Sequence, residues 1–253
     1  MPAQYLIPFA ALTGAIIGSF LNVVIVRLPQ NESLVVPRSR CRACGTELHW
    51  FDNIPVLSFL ALRGRCRACG QAISWRYPTV EAVTALMFAL AAWRSTSPAD
   101  LLVAWLFLSA LVAIAGIDLE HKLIPDRITL PGIAVGFLTS FLGTRVPWLD
   151  SLIGILAGGG ILFAVIVLSG GGMGGGDMKL GAMMGAFLGY KLALLALFLA
   201  VIFGGLVALG LLSTGIRRRK DPIPFGPFLA IAAAVAILSG ETILTWYLKV
   251  FSF

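Results

Sequence analysis

Two groups of side chains in this sequence have types and spacings suited to chemistry: a pair of acids beside apolar runs, and four cysteines in one polar stretch. Asp177 stands in "LSGGGMGGGDMKLGAMMGAFLG", residues 168–189, behind a run of glycines and two residues ahead of Lys179. Asp118 closes an apolar run in "VAIAGIDLEHKLIPDRITLPG", residues 112–132. Two carboxylates held close together in a partly desolvated site cannot both ionise, so one keeps its proton while the other stays anionic. The anion can then take a proton from water while the acid polarises a carbonyl, which is the chemistry of an aspartyl protease.

The residues around Asp177 suit that task. Glycines at 174–176 let the backbone approach a substrate strand or a neighbouring helix without obstruction, and they leave loop amides free to pair with an extended peptide. Gly174 and Gly176 of this run, with the base Lys179 two residues after the acid, are the neighbours expected to support it. Gly181, Gly185 and Gly189 continue as a small-residue stripe at helical spacing, along which another helix can pack tightly. The run is not a phosphate loop, because Asp177 stands where that motif requires Lys. On residue types alone, other readings stay open. The glycines could be a joint, an Asp at a helix start could be an N-cap, and the same acids could relay ions in a proton or ion transporter. Asp126, after Pro125, reads as a cap, while Glu120, His121 and Lys122 read as a solvated turn.

All four cysteines, Cys41, Cys44, Cys66 and Cys69, fall within residues 28–78. The hexapeptide "RCRACG" occurs there twice, at 40–45 and 65–70. Each copy is a C-x-x-C knuckle followed by Gly, so that two thiolates can converge on one tetrahedral ion while Gly permits the tight turn. Disulfides are rare on the cytosolic side of a membrane, and a redox-active dithiol does not explain a duplicated knuckle. Structural zinc on four thiolates is the preferred reading, with His49 beside it as a surface residue. A zinc-bearing assembly scaffold without catalysis is the alternative in which this loop carries the function.

The elements that must position these residues are helices in a membrane. Of 253 residues, 58% are hydrophobic and 12% charged, and the mean hydropathy is +0.93; an average soluble domain is about a quarter charged. The fold class expected is an all-α polytopic membrane protein with about eight spans, at 5–26, 79–94, 99–117, 128–143, 151–169, about 179–190, 192–213 and 226–248. The span at 179–190 is short for a full crossing. The expected organisation is a first span in 1–27, a zinc-knuckle loop domain in 28–78 and a multi-span domain in 79–253. The first apolar run has no cationic segment ahead of it, so it reads as an uncleaved span. With the cysteine loop on the cytoplasmic side, 15 of the 19 Lys and Arg fall inside and 4 outside, as the positive-inside rule requires. The net charge of +7 is then an orientation signal with attraction to anionic lipid. The basic residues are dispersed over several loops, so no nucleic-acid partner is expected. On this topology Asp118 and Asp177 both lie at the cytoplasmic edge. Ser19 and Asn22 are expected to hydrogen-bond between helices.

Taken together and in order, "GSFLNVVIVRLP", the twin knuckles, "WRYPTVE", "IDLEHKLIPDRITLPG", "GMGGGDMKLGAMMG" and "PFGPFLA" resemble the bacterial type IV prepilin leader peptidases, of the GxGD group of intramembrane aspartyl proteases. The GxGD element falls on Gly174, Gly175, Gly176 and Asp177, and the second catalytic acid of that family on Asp118. The resemblance implies a bacterial inner-membrane endopeptidase that removes the leader of prepilins or pseudopilins after a Gly at the cytoplasmic boundary. It further implies N-methylation of the new N-terminus with S-adenosylmethionine as donor. No glycine fingerprint for such a donor is present, so the methyl-donor site is not assigned.

Overall fold

The computed structural model describes residues 3–142, 144–170, 172–215 and 224–251. The basic cluster at 217–220, counted above in the orientation, lies outside them. The chain divides into two compact units, one ending at Ser95 and the other beginning at Thr96. The described residues are almost entirely helical, with two isolated β-bridges as the only strand-like pairings.

The first unit pairs α1 (Ala3–Arg27) with α3 (Arg76–Arg94), across a loop that holds a 3-10 turn at Trp50–Asn53 and the short α2 (Leu57–Ala61). Small residues let the two long helices touch at backbone distance. A Cβ on Gly14 would lie 2.7 Å from the Thr84 carbonyl oxygen, and one on Gly18 would lie 2.7 Å from Glu81 Cα. Ala10, Leu21, Val24 and Ile25 of α1, with Phe88, Ala91 and Ala92 of α3, are buried. The expected interhelical bond is present: Asn22 Nδ2 donates to the Tyr77 carbonyl at 3.1 Å.

The second unit contains α4 (Pro98–His121), α5 (Asp126–Thr139), α6 (Trp148–Leu168), α7 (Gly175–Ser213) and α8 (Gly226–Phe251). Helix α4 starts on a Ser97 cap, whose hydroxyl accepts from Asp100 N at 3.1 Å, and has Pro98 in its first turn, both favoured there. It stops at Lys122, which takes the left-handed conformation and donates its N–H to the Asp118 carbonyl at 2.9 Å. Helices α6 and α7 meet along glycines. A Cβ on Gly158 or Gly185 would overlap the backbone of Gly181 or Gly154 respectively, so neither helix tolerates a side chain there. The stripe expected from Gly181 and Gly185 is thus a backbone-to-backbone seam. Phe107 of α4 stacks on Phe187 of α7 with ring centroids 4.6 Å apart.

Two sequence expectations change in detail. The segments placed at about 179–190 and 192–213 are present as two helices that meet at a kink at Gly189, where φ is 69° and ψ 172°, within the continuous 39-residue stretch of α7. At 1.5 Å per residue an unbroken helix of that length would span about 58 Å, twice the hydrocarbon thickness. The break falls at Gly189 because only Gly adopts this backbone without strain. The helix also begins at Gly175, four residues earlier than expected, which places Asp177 inside its first turn. The second change concerns the number of crossings. Five helices, α1, α4, α6, α7 and α8, are long and apolar enough to span a membrane, so a multi-pass protein is established while the count of eight is not. At 14 residues, α5 is only about 21 Å long.

Candidate active site

Asp118 and Asp177 come together where three helix ends converge. Asp118 lies one turn before the end of α4 and is 5% exposed; Asp177 is the third residue of α7 and is 8% exposed. The Asp118 Oδ2 accepts the backbone N–H of Gly226 at 3.0 Å. That N–H is one of the unpaired donors at the start of α8, where the helix dipole also favours negative charge. Asp177 occupies the corresponding place at the start of α7, its N–H donating to the Gly174 carbonyl at 3.1 Å.

Ile124, buried between α4 and α5, wedges these ends together. A Cβ on Gly176 would lie 2.8 Å from Ile124 Cβ, and one on Gly226 would lie 3.1 Å from Ile124 Cδ1 and 2.6 Å from Asp118 Oδ2. Only glycine at 176 and 226 therefore permits this approach. The two carboxylates are within electrostatic reach of each other.

Of the other expected site residues, Gly174 caps α7, and Lys179 faces Asp126, which in the sequence reads as a cap. Lys179 Nζ donates to both carboxylate oxygens of Asp126, each at 2.7 Å. Asp126 is thus not the N-cap, a position Pro125 holds without a side-chain bond. Its carboxylate ties the start of α5 to the first turn of α7. Glu120 and His121 form a loose exposed pair at 3.9 Å. Sequence reasoning missed Gly226 and Ile124. "PFGPFLA" signals a Pro/Gly-rich helix start, but nothing local in it names Asp118 as the acceptor.

The cysteines form a second constellation, in the first unit. Both knuckles fold alike. Cys41 N donates to the Thr46 carbonyl at 2.9 Å and Cys66 N to that of Gln71 at 2.8 Å, and Gly45 and Gly70 both have φ of 73°. The repeated hexapeptide thus builds a repeated turn, each closed by an antiparallel bridge, Arg40 to Glu47 and Arg65 to Ala72. All four cysteines are free of disulfides, and their sulfurs lie within 4.8 Å of one another, Cys41 to Cys69 at 3.9 Å. A tetrahedral zinc with Zn–S bonds of about 2.3 Å sets sulfurs about 3.8 Å apart, so the donor set fits this ion.

The surroundings act on three of the thiols in opposite directions. The Thr46 side chain and backbone hold Cys44 down to about 6, and the backbone amides of Cys69 and Ala68 lower Cys66. The Gln71 backbone favours the Cys69 thiolate, but burial and the neighbouring sulfurs outweigh it and push this thiol up to about 11. His49 stays out of the cluster and stacks on Phe51, with ring centroids 5.1 Å apart. Arg67, in the second knuckle, donates from Nε to Asp52 at 2.9 Å, tying the 3-10 turn to that knuckle.

A polytopic helical protein with two buried carboxylates at converging helix ends and a four-thiolate loop has the parts that a membrane peptidase working through carboxylates would need. Comparison with known proteins makes this specific. Residues 12–95 match the Bacterial Peptidase A24 N-terminal domain and residues 105–209 the Type IV leader peptidase family. The chain is 40% identical to a protein of Aeromonas salmonicida over 94% of its own length and 92% of the relative's. It is 38% identical to proteins of Pseudomonas putida (96% and 94% covered) and of Bacillus subtilis strain 168 (93% and 95% covered). Each of these is named Prepilin leader peptidase/N-methyltransferase. No solved structure matches the chain. The protein belongs to the type IV leader peptidase family.

Proposed function

We propose that this chain removes the leader of prepilins or pseudopilins, cutting after a Gly at the cytoplasmic face of the bacterial inner membrane, and then methylates the new N-terminus. The observation that carries the first step is the convergence of Asp118 and Asp177, both buried and both at helix ends, around Ile124, Gly176 and Gly226. One carboxylate in its anionic form takes a proton from water, and the other in its acid form polarises the scissile carbonyl. Gly226 N–H holds Asp118 in place, and the Lys179–Asp126 bridge fixes the first turn of α7, from which Asp177 projects. The glycines at 174–176 leave room for an extended substrate strand. The topology read from charge, with the cysteine loop and both acids inside, supports cleavage at that face.

For the second step, the relatives' names include N-methyltransferase, which supports methyl transfer; S-adenosylmethionine as the donor rests on the family resemblance. Cys41, Cys44, Cys66 and Cys69 would hold one zinc, which supplies folding energy to a loop with little regular structure. The experiment that tests the whole reading is mass spectrometry of a prepilin after incubation with the purified chain and a methyl donor. The leader cut after Gly and a mature product heavier by one methyl group support it; an uncut prepilin refutes it.

Two further outcomes follow. Metal analysis of protein purified without chelator should find about one zinc per chain, and replacing Cys41 and Cys69 together by Ser should abolish it. Gly226→Ala places its new Cβ 2.6 Å from Asp118 Oδ2. Displacing a reacting group by about 1 Å costs on the order of a hundredfold, so steady-state cleavage should fall by about that factor while the zinc content stays unchanged.

A further inference from the structure

The first unit holds one buried acid to which the proposed cleavage assigns no role. Glu81, one turn into α3, is 8% exposed. Its Oε2 accepts the backbone N–H of Val56 at 2.7 Å, and the Ser19 hydroxyl faces the same carboxylate. No ion pair to Glu81 is formed among the described residues, although a buried carboxylate without a cation is costly.

Beside it lies an unmet acceptor. Asn22 is 2% exposed, and its Nδ2 donates to the carbonyls of Tyr77 at 3.1 Å and Gly18 at 3.3 Å. Turning the amide over would set its oxygen against two carbonyl oxygens, so the partners fix its orientation. Asn22 Oδ1 is then buried with no donor. Ser19 and Asn22 are three residues apart on α1, and Tyr77 and Glu81 four apart on α3, so the amide and the carboxylate share one seam a turn apart. Two acceptors, one of them anionic, fit a small cation with several N–H donors: a primary ammonium.

We propose that Glu81 and Asn22 seat the primary ammonium at the new N-terminus of the cleaved product, and that Glu81 takes the proton this amine must lose before methylation. The inference rests on the reading that the chain both cleaves and methylates. The ammonium gives one proton to the Glu81 carboxylate, and the freed nitrogen lone pair attacks the methyl carbon of a sulfonium donor. The C–N bond forms as the C–S bond breaks, and its electron pair stays on sulfur, which leaves as a neutral thioether. The product is an N-methylammonium, and the Glu81 acid returns its proton to water.

The test uses the full chain in lipid nanodiscs and the Glu81→Gln variant, whose amide oxygen still accepts from Val56 N–H. Probes are a synthetic peptide of the product's first residues with a free N-terminus, its N-acetylated form, and a Lys-containing leader peptide. Binding is measured without methyl donor. The wild-type chain should bind the free amine about tenfold more tightly than the acetylated peptide, and E81Q should lose that preference. Methyl transfer by E81Q should fall by about a hundredfold while its zinc content and leader cleavage match wild type. Equal binding of the free and acetylated peptides, preference for the leader lysines, or wild-type methylation by E81Q overturns the proposal. Loss of zinc and cleavage in E81Q also overturns it, by showing a purely structural role. Failure of the wild-type chain to cleave at all would instead overturn the function on which the inference rests.

Discussion

Replacing Asp177 or Asp118 by Asn should lower leader cleavage by about a thousandfold or more, with the protein still inserted and folded. Asn has nearly the shape of Asp, and at 118 its side-chain oxygen can still accept the Gly226 N–H that the carboxylate accepts at 3.0 Å. The convergence of α4, α7 and α8 around Ile124 therefore survives the change. What the amide cannot do is carry the negative charge that draws a proton from water, or donate an acidic proton to a carbonyl. The loss should appear in the turnover rate, since substrate binding does not depend on either charge alone. Zinc content and thermal unfolding of the same preparations report the fold. A variant that cleaves normally would remove its acid from the chemistry.

Gly185→Val should leave almost no folded protein. At Gly185 the α6–α7 seam has no side chain to rearrange: a Cβ there would overlap the backbone carbonyl of Gly154 and crowd the Ile155 backbone nitrogen. Overpacking is usually relieved by rotamer shifts at a cost of about 1–3 kcal/mol, but here only separation of two helices relieves it, and the cost should exceed that range. Because α7 carries Asp177 in its first turn, separating the seam also displaces the acid. Gly160 is the internal control. It lies on the same helix, α6, with nothing within 4 Å of its Cβ position, so Gly160→Ala should express and unfold like wild type. Membrane yield and size-exclusion profiles distinguish the two variants. Normal accumulation of Gly185→Val would mean that the helices are not in backbone contact.

Much of this arrangement is legible in the sequence because it rests on local signals. Apolar runs bounded by Pro, Gly and charge mark the helices, and the duplicated "RCRACG" marks two identical turns. The acids stand out because carboxylates are rare beside such runs. The parts that escaped depend on contacts between distant segments. Asp126 follows Pro125 as a cap residue would, yet Lys179, 53 positions away, claims its carboxylate. Gly226 looks like ordinary punctuation before a helix, and only folding reveals that its N–H meets Asp118. The break in α7 falls at Gly189 rather than at Lys191, because the backbone conformation there is open to Gly whereas a charge at a helix edge is merely tolerated. The short α5 shows the limit of hydropathy. Its apolar run continues to about residue 143, but the helix stops at Thr139, where the Ser140 N–H turns back to the Phe137 carbonyl.

The central claim is that Asp118 and Asp177 act as one catalytic unit. Its most direct test is the single-turnover cleavage rate of one prepilin by Asp118→Asn, Asp177→Asn and the double variant, each reconstituted in lipid at equal zinc content. Groups that work as a unit lose nearly everything when either is removed, so all three variants should fall to the same residual rate. Either single variant cleaving at the wild-type rate, or a double variant slower than the singles by the product of their separate losses, would contradict the account.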